Sequence, residues 1–296
     1  MFIRADLLLG SERVTWYSMH ALSYHWEGFR PRLDVLDLKG GRVVELDLVP
    51  RFRHLNLNAS EERECVGSHE GGRYLPCPAH ASVEGAFDQC RSCAGAWIPI
   101  QECIFEPQCA GDLCDSPLCR KKHVVYATFF GDVIKIGMTA GSRLEERAIE
   151  QGADAVVRLS EFPNRLAARE AEKDISKRLR LPQRVRAEQV AAEMTKNPNR
   201  ASLLERYESR VASGIDRHYQ LLGERPRILD GYPGRESLLE LEARPLRSEV
   251  AGAHVGELLA IKGRYLFYVD RMEGEVRMLP LSDLPSHFLE LGGEKR

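Results

Sequence analysis

Hydrophobic and polar residues alternate at both ends of the chain. Near the start, Leu33, Val35 and Leu38 lead into Lys39-Gly40-Gly41-Arg42, after which Val44, Leu46 and Leu48 alternate with Glu45 and Asp47. Period-two alternation on both sides of a two-glycine turn predicts a β-hairpin, and residues 1–58 read as strands throughout. The aromatic set Trp16, Tyr17, Tyr24, His25, Trp26 and Phe29 reads as sheet core, with base stacking as the alternative. A similar pattern returns late in the chain. Leu258, Leu259, Ile261, Tyr265, Phe267 and Val269 make one strand group, and Glu273-Gly274 turns into Val276 and Met278. Whether the two terminal β regions share one small sheet is open at this level.

The middle of the chain has a different period. Val124-Val125-Tyr126-Ala127-Thr128-Phe129-Phe130, the turn Gly131-Asp132 and Val133-Ile134-Lys135-Ile136-Gly137 read strand, turn, strand. Runs this rich in β-branched and aromatic residues suit strands buried on one or both faces. Helical patterns rich in Ala, Leu, Arg and Glu follow at about 142–151, 164–180 and 184–213, punctuated by Pro182 and Asn197-Pro198. Strands followed by helices predict an α+β fold, and no glycine-rich dinucleotide or P-loop motif argues for a Rossmann unit. The expected divisions are a β region at 1–64, a cysteine-rich segment at 65–122, a compact α+β domain at 123–182, a helical region and linker at 183–250, and a β region at 251–296.

Composition adds two features. The first is cysteine: all eight lie between Cys65 and Cys119. Four disulfides would suit a small secreted domain, but this chain of 296 residues is long enough to bury a core, and clustered cysteines of this kind are more often metal ligands. The spacing suits two four-ligand sites. Cys65, Cys77, Cys90 and Cys93 end in the knuckle Cys90-Arg-Ser-Cys93, and Cys103, Cys109, Cys114 and Cys119 follow with five, four and four residues intervening. Neither run matches iron–sulfur spacings, so zinc is expected at both, and a closed four-cysteine site is structural. His69 and His80 compete for the first site through Cys65-x-x-x-His69 and Cys77-Pro-Ala-His80.

The second feature is charge. The formal net charge is −2, but residues 120–210 carry 19 Lys and Arg against 13 Asp and Glu, a local +6 that leaves −8 elsewhere. A bulk polybasic protein is excluded, whereas a basic middle region where RNA or DNA would bind is not. No apolar run approaches the ~18–20 residues of a membrane span, and Leu7-Leu8-Leu9 is too short for a signal-peptide core, so a soluble, cytoplasmic protein is expected.

The strand around Val124-Val125-Tyr126, the strand Lys135-Ile136-Gly137-Met138-Thr139 and the helix after Thr139 together resemble the core of the GIY-YIG nuclease superfamily over about 123–180. The first motif lacks its glycine, and Lys135 stands where many active members carry tyrosine. The wider layout also resembles a family catalogued as a domain of unknown function: cysteine-rich segment, this core, then Ile261-Lys262-Gly263-Arg264-Tyr265-Leu266. Tyr126 and Lys135 lie on neighbouring strands and could project to the same face, where a phenolate or phenol near a lysine suits a general base or a water-orienting group, because the ammonium favours the ionised form. Arg143 and Arg147 share one helix face and could hold phosphate oxygens, with Arg147 the better match to the second family. The superfamily resemblance implies Glu172 as ligand to a catalytic Mg²⁺ or Mn²⁺, with Glu170 its confusable neighbour. The expected function is a zinc-containing nucleic-acid-binding protein, an endonuclease if catalytic. The alternatives are a non-catalytic RNA or DNA binder that keeps the fold for phosphate recognition, and a zinc-knuckle adaptor for another protein.

Overall fold

A computed structural model describes residues 17–49, 54–85, 87–94, 101–104, 106–113, 116–196, 199–215, 219 and 221–292. Leu7-Leu8-Leu9, Trp16, Cys114 and Asn197-Pro198 lie outside them. Four strands come first: β1 (Tyr17–Glu27), β2 (Arg30–Asp37), β3 (Arg42–Asp47) and β4 (His54–Arg63). The two-glycine turn joins β2 to β3, pairing Leu33 with Leu46 and Val35 with Val44. Gly41 adopts φ +62°, a conformation open to glycine, and its N–H closes the turn on Asp37 O at 2.8 Å. The cysteine-rich stretch holds a small hairpin, β5 (Ser68–Glu70) with β6 (Arg73–Leu75), and the short helix α1 (Pro117–Arg120).

The middle region runs β7 (His123–Phe130), β8 (Val133–Ala140), α2 (Leu144–Glu150), β9 (Ala155–Phe162) and α3 (Arg165–Leu179). It continues through α4 (Ala187–Met194), α5 (Arg200–Tyr207), a π-helical turn over Glu208–Ala212 and α6 (Ser213–Ile215). The last part contains β10 (Arg227–Ile228), α7 (Arg235–Leu239), β11 (Leu246–Arg247), β12 (Gly252–Lys262), β13 (Tyr265–Asp270), β14 (Val276–Pro280) and β15 (His287–Leu291). The fold is mixed α+β.

The terminal strands share one sheet, and it is not small. Nine strands lie in the order β11-β14-β13-β12-β4-β15-β1-β2-β3. β15 joins the two ends by pairing antiparallel with both β1 and β4. β11 and β3 remain as free edges, so no barrel closes. Of the aromatic set, Trp26 is buried in the core and Tyr24 and Phe29 are partly buried against it, with Trp26 and Phe29 packing edge-on on Tyr232, whereas His25 is partly exposed beside Asp34 and Glu45.

A second sheet has the order β10-β9-β7-β8. All eight residues of its central strand β7 are buried, because both faces are covered. Val124, Tyr126 and Phe130 enter a core shared with α2, α4 and the nine-stranded sheet, whereas Val125, Ala127 and Phe129 pack on α3, α5 and the π-helical turn. This two-sided burial explains the unbroken apolar run in the sequence.

Two expectations fail here. The sequence reading passes over β9, whose Ala155-Val156-Val157-Arg158-Leu159 run sits between helical stretches. It becomes a strand by pairing along β7 from His123↔Phe162 to Phe129↔Ala155. The helix expected over 184–213 is divided, with α4 ending before Thr195 and α5 starting after the cap Asn199, whose side chain accepts from Ser202 N–H at 2.8 Å. A proline between them lacks the N–H and fits poorly in a helix interior.

A buried ion pair spans the two sheets. Lys262 Nζ of β12 lies 2.6 Å from Asp154 Oδ1, with the two side chains 1% and 2% exposed. The other oxygen of Asp154 accepts the Gly131 N–H at 2.7 Å. No helix among the described residues is long and apolar enough to cross a membrane.

Candidate functional site

Two places in the structure gather chemistry-bearing side chains. The first is the four-cysteine group. The chain leaves β4 at Arg63, turns through Cys65, makes the β5–β6 hairpin and returns through Cys77 before the Cys90–Cys93 knuckle. The four Sγ atoms all lie within 4.8 Å of one another, and Cys77 and Cys90 are 3.9 Å apart. A disulfide would require about 2.05 Å. Four thiolates placed tetrahedrally at about 2.3 Å from zinc lie about 3.8 Å from each other, so the spacing is compatible with a structural zinc site. Backbone donors support the sulfurs: Cys65 Sγ accepts from Gly67 N–H at 3.4 Å and from Cys90 N–H at 3.2 Å. Gly67 is required for this turn, since at φ +76° a Cβ there would lie 2.3 Å from Leu75 O.

The competing histidines are elsewhere. His80 Nδ1 is 2.8 Å from Glu64 Oε1, and the His69 ring packs against Tyr74. Of the second set, Cys103, Cys109 and Cys119 are each buried, and Gly111 N–H donates to Cys109 Sγ at 3.3 Å. Their fourth member, Cys114, lies outside the described residues, and the described three do not form a group like the first. This part of the segment docks on α3, where Arg165 donates to Cys103 O at 2.5 Å and Arg169 and Lys173 both pair with Glu106. A further group, His25, Asp34 and Glu45, lies across β1–β3. Arg32 sits among these groups and pairs with Glu45 at 3.6 Å and Asp47 at 2.9 Å, so the face is a charged cross-strand ladder.

The second place is built on β7, β8, α2 and α3. Tyr126 pairs across the sheet with Gly137, and a Cβ at 137 would lie 2.7 Å from the Tyr126 ring and hydroxyl. Glycine here lets the ring lie across β8. Gln151, just past the end of α2, donates from Nε2 to Tyr126 Oη at 3.1 Å and accepts from Lys135 Nζ through Oε1. Gln151 follows Arg147 in the helix that matches the second family but is not an expected site residue, and the chain turn after α2 brings it between Tyr126 and Lys135. Glu172 on α3 is buried and pairs with Arg169 at 2.7 Å; Glu170 is exposed. Arg169 in turn donates to Gln183 Oε1 at 2.9 Å. Arg147 pairs with Glu150 at 2.9 Å, while Arg143 is more exposed and pairs with Glu146 at 2.8 Å.

Electrostatics link these groups. Burial lowers the Lys135 pKa to about 8, the Arg147 and Arg264 charges add to the effect, and Glu172 opposes it. Burial raises Glu172, with Arg169 and Lys135 pulling it back. Burial also raises Tyr126 and outweighs the Gln151 hydrogen bond and the Arg147 charge, so of the two expected forms desolvation favours the phenol. Arg147, and not Arg143, is felt at both Tyr126 and Lys135.

Lys135 carries a prediction. Between about pH 8 and its ordinary 10.5, the folded state holds fewer protons than the unfolded state at this residue. This contribution therefore makes stability rise as pH rises through that window. Lys135→Met should remove that slope and gain about 1–2 kcal/mol at pH 7, after allowance for screening and the lost bond to Gln151. Urea denaturation at pH 7 and pH 9.5 checks it, and equal pH slopes for variant and wild type would refute it.

No curated protein and no solved structure matches this chain. One family model does, over residues 53–278, which takes in the four-cysteine group, the second sheet and most of the C-terminal strands. The chain therefore belongs to the DUF2797 family of proteins of unknown function.

Proposed function

We propose that this protein binds nucleic acid and hydrolyses phosphodiesters at the cluster formed by Tyr126, Lys135, Arg147 and Glu172, with the four-cysteine group as a structural zinc site. The observation that carries the reading is the bridging of Tyr126 on β7 and Lys135 on β8 by Gln151, with the charges of Arg147 on α2 and Glu172 on α3 felt at both. The resemblance of residues 123–180 to the GIY-YIG core supports it. So does a run of exposed basic residues, Lys177, Arg180, Arg184 and Arg186, in a segment held against β8 by the Ile136 N–H to Pro182 O bond of 3.0 Å. These are the positions where a phosphate backbone would be held.

Lys135, whose proton leaves near pH 8, is the group suited to take a proton from an attacking water. Tyr126 keeps its proton and fixes Gln151, which orients Lys135. Arg147 offsets charge developing on the phosphoryl oxygens. Glu172 would hold a Mg²⁺ or Mn²⁺ ion, which would supply Lewis-acid polarisation of a phosphoryl oxygen. A single carboxylate suits Mg²⁺, which keeps several waters. The pairing of Glu172 with Arg169 favours a second reading, a non-catalytic phosphate-recognition surface.

Cleavage of single- and double-stranded RNA and DNA with Mg²⁺ or Mn²⁺ tests both readings. Tyr126→Phe and Glu172→Ala should each lower cleavage by roughly 100-fold or more while binding persists. Salt-sensitive binding without cleavage in either metal would select the second reading. Absence of binding at low salt would defeat both and leave a protein-binding adaptor.

A further inference from the structure

The β12–β13 turn is clamped into the corner that holds this cluster. Gly263, at φ +58°, lies so close to the end of α2 that a Cβ there would stand 2.5 Å from Gly152 N and 2.7 Å from the Gln151 carbonyl carbon. Its own carbonyl accepts from Tyr24 Oη at 2.8 Å and from Trp26 Nε1 at 2.9 Å. On one side of it Lys262 is locked to Asp154; on the other, Arg264 O accepts from Leu281 N–H at 2.8 Å. The backbone of the turn is thus fixed from four directions. The Arg264 side chain is nevertheless exposed and makes no hydrogen bond or ion pair to any described residue.

Arg264 is thus the chain neighbour of a glycine packed against Gln151, the residue that bridges Lys135 and Tyr126. The charges of Arg147 on α2 and of Arg264 in the turn are both felt at Lys135 on β8. Their nearby carboxylates are already engaged, Glu150 with Arg147 and Arg143 and Glu172 with Arg169. Burial is the main cause of the lowered pKa of Lys135; the Arg147 and Arg264 charges add to it and Glu172 opposes it. A bound anion would offset these charges further, and a guanidinium on a rigid turn can bind a tetrahedral oxyanion through two parallel bonds without first becoming ordered.

We propose that Arg264, contributed by the nine-stranded sheet, is a phosphate-binding residue of this site and receives a phosphate group together with Lys135 and Arg147. The source of the phosphate rests on the preceding reading, in which it belongs to a nucleic acid; a small phosphate ester offers the same chemistry.

The test uses the full chain as wild type, Arg264→Ala, Arg264→Lys and Arg271→Ala, an exposed arginine at the opposite end of β13. Inorganic phosphate is titrated by calorimetry at constant ionic strength, and a labelled oligonucleotide is titrated across a salt series. Arg264→Ala should weaken phosphate roughly tenfold, with Arg264→Lys intermediate and Arg271→Ala within about twofold of wild type. Its oligonucleotide salt slope should fall by about one. Wild type that fails to bind phosphate, or Arg264→Ala that binds it equally well, overturns the assignment. Phosphate binding through Arg264 without oligonucleotide binding supports the residue and defeats the nucleic-acid reading. Oligonucleotide binding that is indifferent to Arg264→Ala, with phosphate binding also unchanged, defeats the residue and leaves that reading standing.

Discussion

Cys90→Ser should release metal from the first cysteine group and unfold residues 64–94 while both large sheets persist. The reason is the small size of the local core. Apart from the cysteines, the only buried member of this cluster among the described residues is Val83, with Ala81 partly buried beside it. A segment with so little apolar burial cannot offset its chain entropy without a further source of free energy. Structural zinc supplies about 10–16 kcal/mol in comparably small modules. Hydrogen exchange gives the readout. In wild type the Cys65 N–H donates to Ala81 O at 2.8 Å, Val83 N–H to Arg63 O at 3.2 Å and Cys93 N–H to Cys90 O at 3.1 Å. These amides should lose protection in Cys90→Ser, or after chelation of wild type, while β7 and β8 keep theirs. Elemental analysis should find one zinc per chain for this group, and two if the Cys103 set also closes. Metal-free wild type, or unchanged exchange over 64–94 in the variant, would refute the assignment.

Lys262→Met should cost about 3–5 kcal/mol, the loss expected when one partner of a buried ion pair is removed. The Asp154 carboxylate would be left with one hydrogen bond from the described residues, from the Gly131 N–H, at a site only 2% exposed. The double variant Lys262→Met with Asp154→Asn should recover much of that loss, because the stranded charge disappears while an acceptor for Gly131 remains. Urea denaturation of wild type, both single variants and the double variant measures the coupling, expected at about 2 kcal/mol or more. A Lys262→Met protein within about 1 kcal/mol of wild type would show that the pair does not tie the sheets together. If it holds, loosening the pair should also free the turn that carries Arg264.

Local pattern made some of this architecture legible. The β2–β3 hairpin follows from alternation beside Gly40-Gly41, because turn chemistry and strand period are both contained within about fifteen residues. The β7–β8 hairpin follows in the same way from its apolar runs and Gly131-Asp132. The first cysteine group could be written down from spacing, although spacing alone left His69 and His80 as rivals. The structure removes them by giving His80 to Glu64 and His69 to Tyr74. β9 was hidden because its partner lies more than 20 residues upstream, and pairing with β7 decides its conformation.

The candidate cluster divides along the same line. Tyr126, Lys135, Arg147 and Glu172 could be named from the order of motifs, since each sits at a fixed place on a local element. Gln151 and Arg264 could not. One is an ordinary polar residue after a helix, and the other sits in a turn 113 positions further on. The protonation of Tyr126 was also beyond the sequence, because burial sets it and burial is a property of the assembled core. The sequence by itself determined the mixed α+β character and pointed to the group Cys65, Cys77, Cys90 and Cys93, with His69 and His80 as rivals, and to four candidate cluster residues, all of which depend on near neighbours in the chain. Only the tertiary structure decided that the terminal strands form one nine-stranded sheet and that this sheet delivers Arg264 to the cluster. Both depend on pairings between residues more than 200 positions apart, such as Tyr24 with Gly263, and a local pattern carries no record of such contacts.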